Sequence, residues 1–528
     1  LFPDVVNGPD YYEKKFPERD LPKGAEVTRM APSPTGFIHL GNLYSALADE
    51  RIAHRNGGVF YLRIEDTDEK RKVDGAVETI INVLRYFDIE FDEGAGFTDA
   101  DPQNVYGPYF QRQRVEIYHA YAKDLVKRGL AYPCFCTEEE LEEVRKEQEE
   151  DKAMTGYYGK YAVCRNLTLE DIEAKLKAGL TYVLRLRSAG SPDKEIVFHD
   201  RIMGEIKLPE NIHDIVLLKR DGVPTYHFAH AIDDHLMRTT MVIRGGEWLA
   251  SVPTHYELFH VLGFKMPSYG HTAHLMKFDE ETGGKRKLSK RKDGYHPMAM
   301  KVYLLTLLNS NFEEWYEKFP DKDIKEFPFS VEKMSQSGAL FDKDKLHNIC
   351  KNELAKLSEE EMYDFLYDWA AGNEPEKAKV WFADREKMLA ILRLYMGIGM
   401  KRRRKDFIYA KQIFELIGYF FEENNDAEEF KFDKDTVKEI LKEYLAGYDH
   451  NDDNSAWFDK LKKVADNLSF ASDMKAYKAN PENYKGSISD IAEVVRIAVT
   501  GRANTPDLWT IIHIIGEDAM KAKIERLC

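Results

Sequence analysis

The stretch from Glu26 to Arg55 constrains the fold more than any other. EVTRMA (26–31) reads as a short buried strand, PSPTG (32–36) as a tight turn-rich loop, and Gly41 to Arg55 as a helix. GVFYLRIE (58–65) reads as a second strand, and a further helix runs from near Glu69 to Tyr86. Strand, loop, helix, strand, helix is the pattern of a parallel sheet with crossover helices. HDIVLLK (213–219) and TMVIR (240–244) read as further strands of the same sheet. From about residue 340 the pattern changes to successive helices without strands, among them 353–370, 376–395, 406–423, 433–446 and 487–500. Ser487 with Asp490 starts the last of these, and Gly501 ends it.

A chain of 528 residues is too long for one core. No charge-free apolar run approaches the ~18 residues of a membrane span. The first residues have neither the basic nor the apolar region of a signal peptide. Five cysteines, an odd number, do not make a disulfide framework and suit a reducing, cytoplasmic setting. A net charge of −16 argues against non-specific coating of nucleic acid but leaves room for local basic patches.

Two segments carry the chemistry. In PSPTGFIHLGN (32–42), prolines and glycines force a loop whose backbone can approach a ligand closely. The helix that follows offers free N–H groups and a positive dipole end to phosphate. His39 sits where an imidazole could reach nucleotide phosphates, with a structural role equally open, and Gly41 leaves room for adenine or ribose. In GGKRKLSKRKDG (283–294), six of the eight residues 285–292 are basic. Lys287 and Lys290 could close over a triphosphate and stabilise a leaving pyrophosphate, against the alternative of a solvated basic loop.

Together, H-x-G-N and the later K-L-S-K-R resemble the two signatures of class I aminoacyl-tRNA synthetases. LRIEDTD (62–68), YHFAHAIDDH (226–235), VIRGGEW (242–248), AYPCFCTEEEL (131–141) and VVRIAVTGRANTPDL (494–508) resemble the glutamyl-tRNA synthetases of bacterial type. The resemblance implies an α/β, Rossmann-like parallel-sheet catalytic domain with an inserted α/β acceptor-binding domain, then all-α anticodon-binding domains. In residues, these are an N-terminal extension 1–25, catalytic halves 26–121 and 213–270, an insertion 122–212, a linking domain 271–340 with the KLSKR loop, and a helical region 341–528.

It further implies activation of glutamate with ATP and Mg²⁺, dependent on tRNA, and transfer to the terminal adenosine of tRNA-Glu, in some members also tRNA-Gln. A monomer is expected. Arg29 would pair with the side-chain carboxylate of glutamate. Ser33 and Glu65 would hold the α-amino group, and Tyr226 and Arg244 would complete the amino-acid site. His39, Gly41, Glu247, Trp248, Lys287 and Lys290 would form the ATP site. The competing structural reading pairs Arg29 with Glu65 inside the sheet and packs Tyr226 and Trp248 into the core.

The chain departs from the family at His230, where Asn is common near the substrate carboxylate; its titration would make affinity pH-sensitive. Asn42 replaces the second His of the wider class signature. The sequence after KLSKR also runs on sooner than in the family. Cys134, Cys136 and Cys164, with Tyr158 or Tyr161 nearby, resemble the zinc knuckle of some members. Only three thiols are present and Asn166 stands where a His ligand would, so free thiols are favoured over zinc. Arg402, Arg403 and Arg404, within KRRRK (401–405), are candidates for tRNA contact or for a solvated face. Glutaminyl-tRNA synthetases fit less well: their first signature reads PEPNGYLHIGH and their C-terminal half is built of strands.

Overall fold

The computed structural model describes all residues except 36–39, 72, 99, 273–292, 337–340 and 423–426. It divides into two compact units, one from 1–288 and 301–342, the other from 289–300 and 343–528.

The first unit is built on parallel strands. β1 (Val27–Met30) pairs in parallel with β2 (Val59–Leu62), which pairs in parallel with β3 (Glu93–Gly94). β3 crosses β2 so closely that a Cβ on Gly94 would lie 2.2 Å from the Leu62 carbonyl oxygen, and its φ of +124° suits only glycine. β9 (Met241–Gly245) pairs in parallel with β10 (Ser268–Thr272). The two halves meet between β1 and β9, where the Thr240 N–H donates to the Val27 carbonyl (2.9 Å) and the Val27 N–H donates to Thr240 Oγ1 (2.8 Å). Strand order therefore runs outward in opposite directions from β1 and from β9. That is a topological switch point, the place where open α/β sheets bind ligands at their strand C-termini.

Helix α2 (Leu40–His54) crosses this junction against β1, β2 and β9, and the Thr28 hydroxyl donates to its Asp49 carbonyl at 2.7 Å. Two more helices matter to the site. α7 (Tyr226–Leu236) has a mostly buried run from Phe228 to Asp234, and α8 (Val252–Leu262) ends on Gly263 at φ +73°.

The strand expected at 213–219 forms as β8 (Val216–Leu218) but pairs antiparallel with β5 (Val183–Leu186), which pairs with β4 (Ala131–Cys134). It does not extend the parallel sheet, because a short apolar run carries no information about its partner. The hairpin of β6 (Glu195–Asp200) and β7 (Gly204–Pro209) instead joins that sheet through β6 beside β10.

The second unit holds helices and, among its described residues, one isolated bridge (Ala471–Ser487) but no strand. The run expected at 376–395 is two helices, Pro375–Trp381 and Arg385–Met396, because Asp384 caps the second by accepting from the Lys387 N–H at 3.0 Å. The run 406–423 shortens to Ala410–Ile417 and a 3₁₀ turn. The helix at Ile488–Thr500 starts and stops as expected: the Ser487 N–H donates to Asp490 (2.8 Å), and Gly501 takes φ +74°.

Candidate active site

Side chains at the C-terminal ends of β2, β1, β9 and β10 converge with the first half of α7. Arg29 projects from β1 and is buried, its Nε donating to Asp234 Oδ2 at 3.4 Å. Glu65 follows β2 and accepts from Arg63 Nη2 at 3.2 Å. Arg29 and Glu65 therefore do not pair with each other; each has a different partner.

Arg63, fully buried, also donates to Asp234 Oδ1 at 2.6 Å. The adjacent Asp233 accepts from Arg114 Nε (2.7 Å), Gln111 Nε2 (3.0 Å) and the Tyr118 hydroxyl (2.7 Å). Two buried arginines and two buried aspartates thus pin α7 beneath the site. Such a network is costly to break, since losing one partner of a buried pair typically destabilises by about 3–5 kcal/mol.

Tyr226 opens α7 and lies parallel to His230 (ring centroids 5.6 Å apart, 19° between planes) and 4.7 Å from Trp248. Its hydroxyl is pushed up to about 12 by burial, with Glu65, Arg244, Arg29 and Asp234 all near enough to act on it. Trp248 is 36% exposed and Glu247 is exposed, so Trp248 is not a core residue. Ser33 is exposed just beyond β1, and Gly41 lies in the first turn of α2. His39, Lys287 and Lys290 lie outside the described residues.

The expectation for His230 needs correction. Its Nε2 meets the Tyr269 hydroxyl at 2.8 Å, and Nδ1 lies 3.1 Å from Asp234 Oδ2 but off the hydrogen-bond direction. Burial, then Arg29 and Arg244, hold its pKa well below the ordinary histidine value. It stays neutral around physiological pH and is no switch there.

Arg244, from β9, sits among histidines. Its Nε donates to His271 Nε2 (2.9 Å) and its Nη1 meets His255 Nδ1 (3.1 Å). Its face lies over the Tyr269 ring at 4.7 Å, while Nη2 is buried without a partner among the described residues. Of these residues, sequence reasoning missed Arg63, Arg114, Asp233, Asp234, His255, Tyr269 and His271. Arg63 stands inside LRIEDTD at the end of β2, and Asp233 and Asp234 inside YHFAHAIDDH, where the i, i+4 spacing of His230 and Asp234 on one helix face was the available signal.

Cys134, Cys136 and Cys164 are buried together, with their sulfurs within 4.8 Å of one another. The aromatic beside them is Tyr157, whose oxygen lies 3.4 Å from Cys134 Sγ and 3.3 Å from Cys136 Sγ. Tyr158 and Tyr161 turn away, to the Met154 carbonyl and to Asp151. Hydrogen bonds among the sulfurs pull the Cys134 thiol below the ordinary value and push the Cys136 thiol above it. Three thiols and a phenol oxygen converging in one buried place are a donor set that fits tetrahedral zinc.

In the second unit, Arg402 and Arg403 are exposed between helices, whereas Arg404 is held by Asp406 at 2.7 Å.

Residues 26–348 match the family profile described as tRNA synthetases class I (E and Q), catalytic domain, and residues 375–528 match an anticodon binding domain. The chain belongs to this class I synthetase family. A glutamate–tRNA ligase of Acetivibrio thermocellus is 53% identical, with 100% of this chain and 98% of that protein covered. One from Clostridium perfringens strain 13 is 46% identical, covering 99% and 98%. Among solved structures, a glutamate tRNA ligase from Elizabethkingia meningosepticum in complex with its amino acid superposes with TM-score 0.72 at 26% identity, covering 95% of this synthetase and 99% of that chain. No helix of the described residues is long and apolar enough to cross a membrane.

Proposed function

We propose that this synthetase is a glutamate–tRNA ligase, and that the cluster of buried charged side chains at the switch point is its amino-acid site. The supporting observation is charge count. Glutamate carries two carboxylates and one ammonium, a net charge of −1; at the site four buried arginines, Arg29, Arg63, Arg114 and Arg244, face three carboxylates, Glu65, Asp233 and Asp234, which leaves one positive charge uncompensated. Glutamine, with one carboxylate, would leave a buried guanidinium unpaired.

Arg29 takes the side-chain carboxylate, as a planar donor suits. Glu65 and Ser33 take the α-ammonium, and Tyr226 and Arg244 complete the pocket. The α-carboxylate attacks the α-phosphorus of ATP, forming glutamyl-adenylate and releasing pyrophosphate. The ribose hydroxyl of the terminal adenosine then attacks the anhydride and releases AMP. ATP enters with Mg²⁺ held mostly by phosphates and water. It is bound by the loop and helix at His39 and Gly41, by Glu247 and Trp248, and by Lys287 and Lys290. No covalent enzyme intermediate is needed, so positioning and charge on phosphate oxygens govern both steps.

In the same reading Cys134, Cys136 and Cys164, with Tyr157 as the fourth donor, hold a structural zinc, and the enzyme works in the cytoplasm. The sequence favours free thiols for want of a fourth ligand, and Tyr157 meets that objection.

The test is ATP–pyrophosphate exchange with tRNA present. Glutamate should support it and glutamine should not. Arg29→Ala should raise the KM for glutamate at least about a hundredfold, from loss of a buried charge-assisted pair, with the KM for ATP nearly unchanged. Exchange with glutamine alone would sink the substrate assignment; unchanged glutamate kinetics would remove Arg29 from the pocket.

A further inference from the structure

Arg244 differs from the other buried arginines of the site in what satisfies its N–H groups. Arg29, Arg63 and Arg114 each touch a carboxylate. The side chains against Arg244 are two imidazoles and an aromatic face.

The protons in this cluster can be assigned. A guanidinium only donates, so His271 Nε2 and His255 Nδ1 both accept. His271 must then carry its proton on Nδ1, which lies 2.6 Å from Asp200 Oδ2. Asp200 is already an acceptor for the backbone N–H groups of Ile202 (2.9 Å), Met203 (2.8 Å) and His271 (3.0 Å), which holds it as the carboxylate. Both ends of the relay require the same tautomer. His255, with its proton on Nε2, donates to His227 Nδ1 at 2.9 Å. Burial first, then the Arg244 charge among other causes, keeps His227, His255 and His271 below the ordinary histidine pKa.

The consequence is electrostatic. A contacting carboxylate would neutralise Arg244 and compete with a substrate for it. A neutral imidazole satisfies an N–H without cancelling the charge. Asp200 stands one imidazole further away, orienting His271 as second-layer carboxylates orient functional histidines elsewhere. What remains is a rigid guanidinium with full charge and one buried nitrogen, Nη2, without a partner among the described residues.

We propose that His255 and His271, each fixed as an acceptor toward Arg244, are positioning residues that orient this guanidinium for a substrate carboxylate without setting a competing carboxylate against it. The assignment rests on the amino-acid site proposed above. It adds that β6, through Asp200, and α8, through His255, set the affinity for the amino acid.

The experiment is steady-state exchange with tRNA on His271→Phe, His271→Gln, His255→Phe, His255→Asn and Asp200→Asn, each checked for folding by circular dichroism. Gln at 271 and Asn at 255 return an acceptor oxygen near the lost nitrogen. The phenylalanine variants should raise the KM for glutamate about tenfold and change the KM for ATP less than about twofold, while the amide variants recover to within about threefold of the parent. Asp200→Asn, nearly isosteric, lets the amide donate to Nδ1 and turns the imidazole proton against Arg244. It should raise the glutamate KM several-fold, and it decides the question should the phenylalanine variants fail to fold. An unchanged glutamate KM, an equal loss for ATP, or failure of both amide variants to recover would overturn the proposal. If the parent protein shows no glutamate-dependent exchange, the site reading itself fails, which is a separate result.

Discussion

Burial pushes the Glu65 carboxyl from the ordinary 4.5 up to about 7, against the pull of Arg63 and Arg29. The group is thus largely protonated below neutrality in the free enzyme, yet it must be ionised to pair with an ammonium. The kcat/KM for glutamate should therefore fall as pH drops through about 7, because kcat/KM reports groups of the free enzyme. Glu65→Gln should lower kcat/KM and flatten that limb; a variant that keeps it would place the ionisation elsewhere. For stability the sign is opposite: the folded state holds this proton more tightly than the unfolded chain, so its contribution is present at acid pH and lost between 4.5 and about 7. At this scale the sequence exposed Arg29, Glu65, Tyr226 and Arg244 through their motifs. It did not expose their partners. Arg29 meets Asp234 across 205 positions of chain, and no local pattern states which buried arginine takes which buried aspartate. The pH sensitivity expected of His230 failed for the same reason, since two arginines brought in from β1 and β9 help keep it neutral.

Elements were legible where their own ends carried the information. Ser487 and Asp490 make the expected reciprocal capping box at the start of the helix Ile488–Thr500, whereas Ser358 with Glu361 caps a new helix Glu359–Asn373 and so divides the single run expected at 353–370, whose first residues end a helix at Leu354. Partner choice between elements was not legible, as β8 shows. The cysteine group is an intermediate case. Cys134 ends β4 and Cys136 follows it, but Cys164 and Tyr157 come from a loop whose approach depends on the Tyr157 oxygen accepting the Cys164 N–H at 3.0 Å. Purified protein should carry about one zinc per chain by emission spectroscopy, four-coordinate as structural zinc usually is. Cys136→Ser should lose most of it and lower the melting temperature, whereas the glutamate and ATP KM values of the folded fraction stay near the parent's. Protein free of zinc after metal-replete expression would return the group to a cluster of thiols.

For the molecule as a whole, a net charge of −16 has to be reconciled with a polyanionic substrate. Local patches resolve the conflict, because phosphate binding acts through the few cations that reach the backbone. In KRRRK the structure separates the three arginines: Arg404 is paired to Asp406, while Arg402 and Arg403 are exposed in the segment matching an anticodon binding domain. If these two meet tRNA, the double variant Arg402→Ala with Arg403→Ala should raise the KM for tRNA several-fold. It should also reduce the salt dependence of tRNA affinity by a slope of about two, one for each phosphate no longer neutralised. At saturating tRNA the KM values for glutamate and ATP should not move, since no residue assigned to either substrate lies in KRRRK. An unchanged tRNA KM and salt slope would make both arginines part of a solvated face. A change in affinity with no change in slope would point instead to guanidinium stacking on unpaired bases, which does not depend on released counterions.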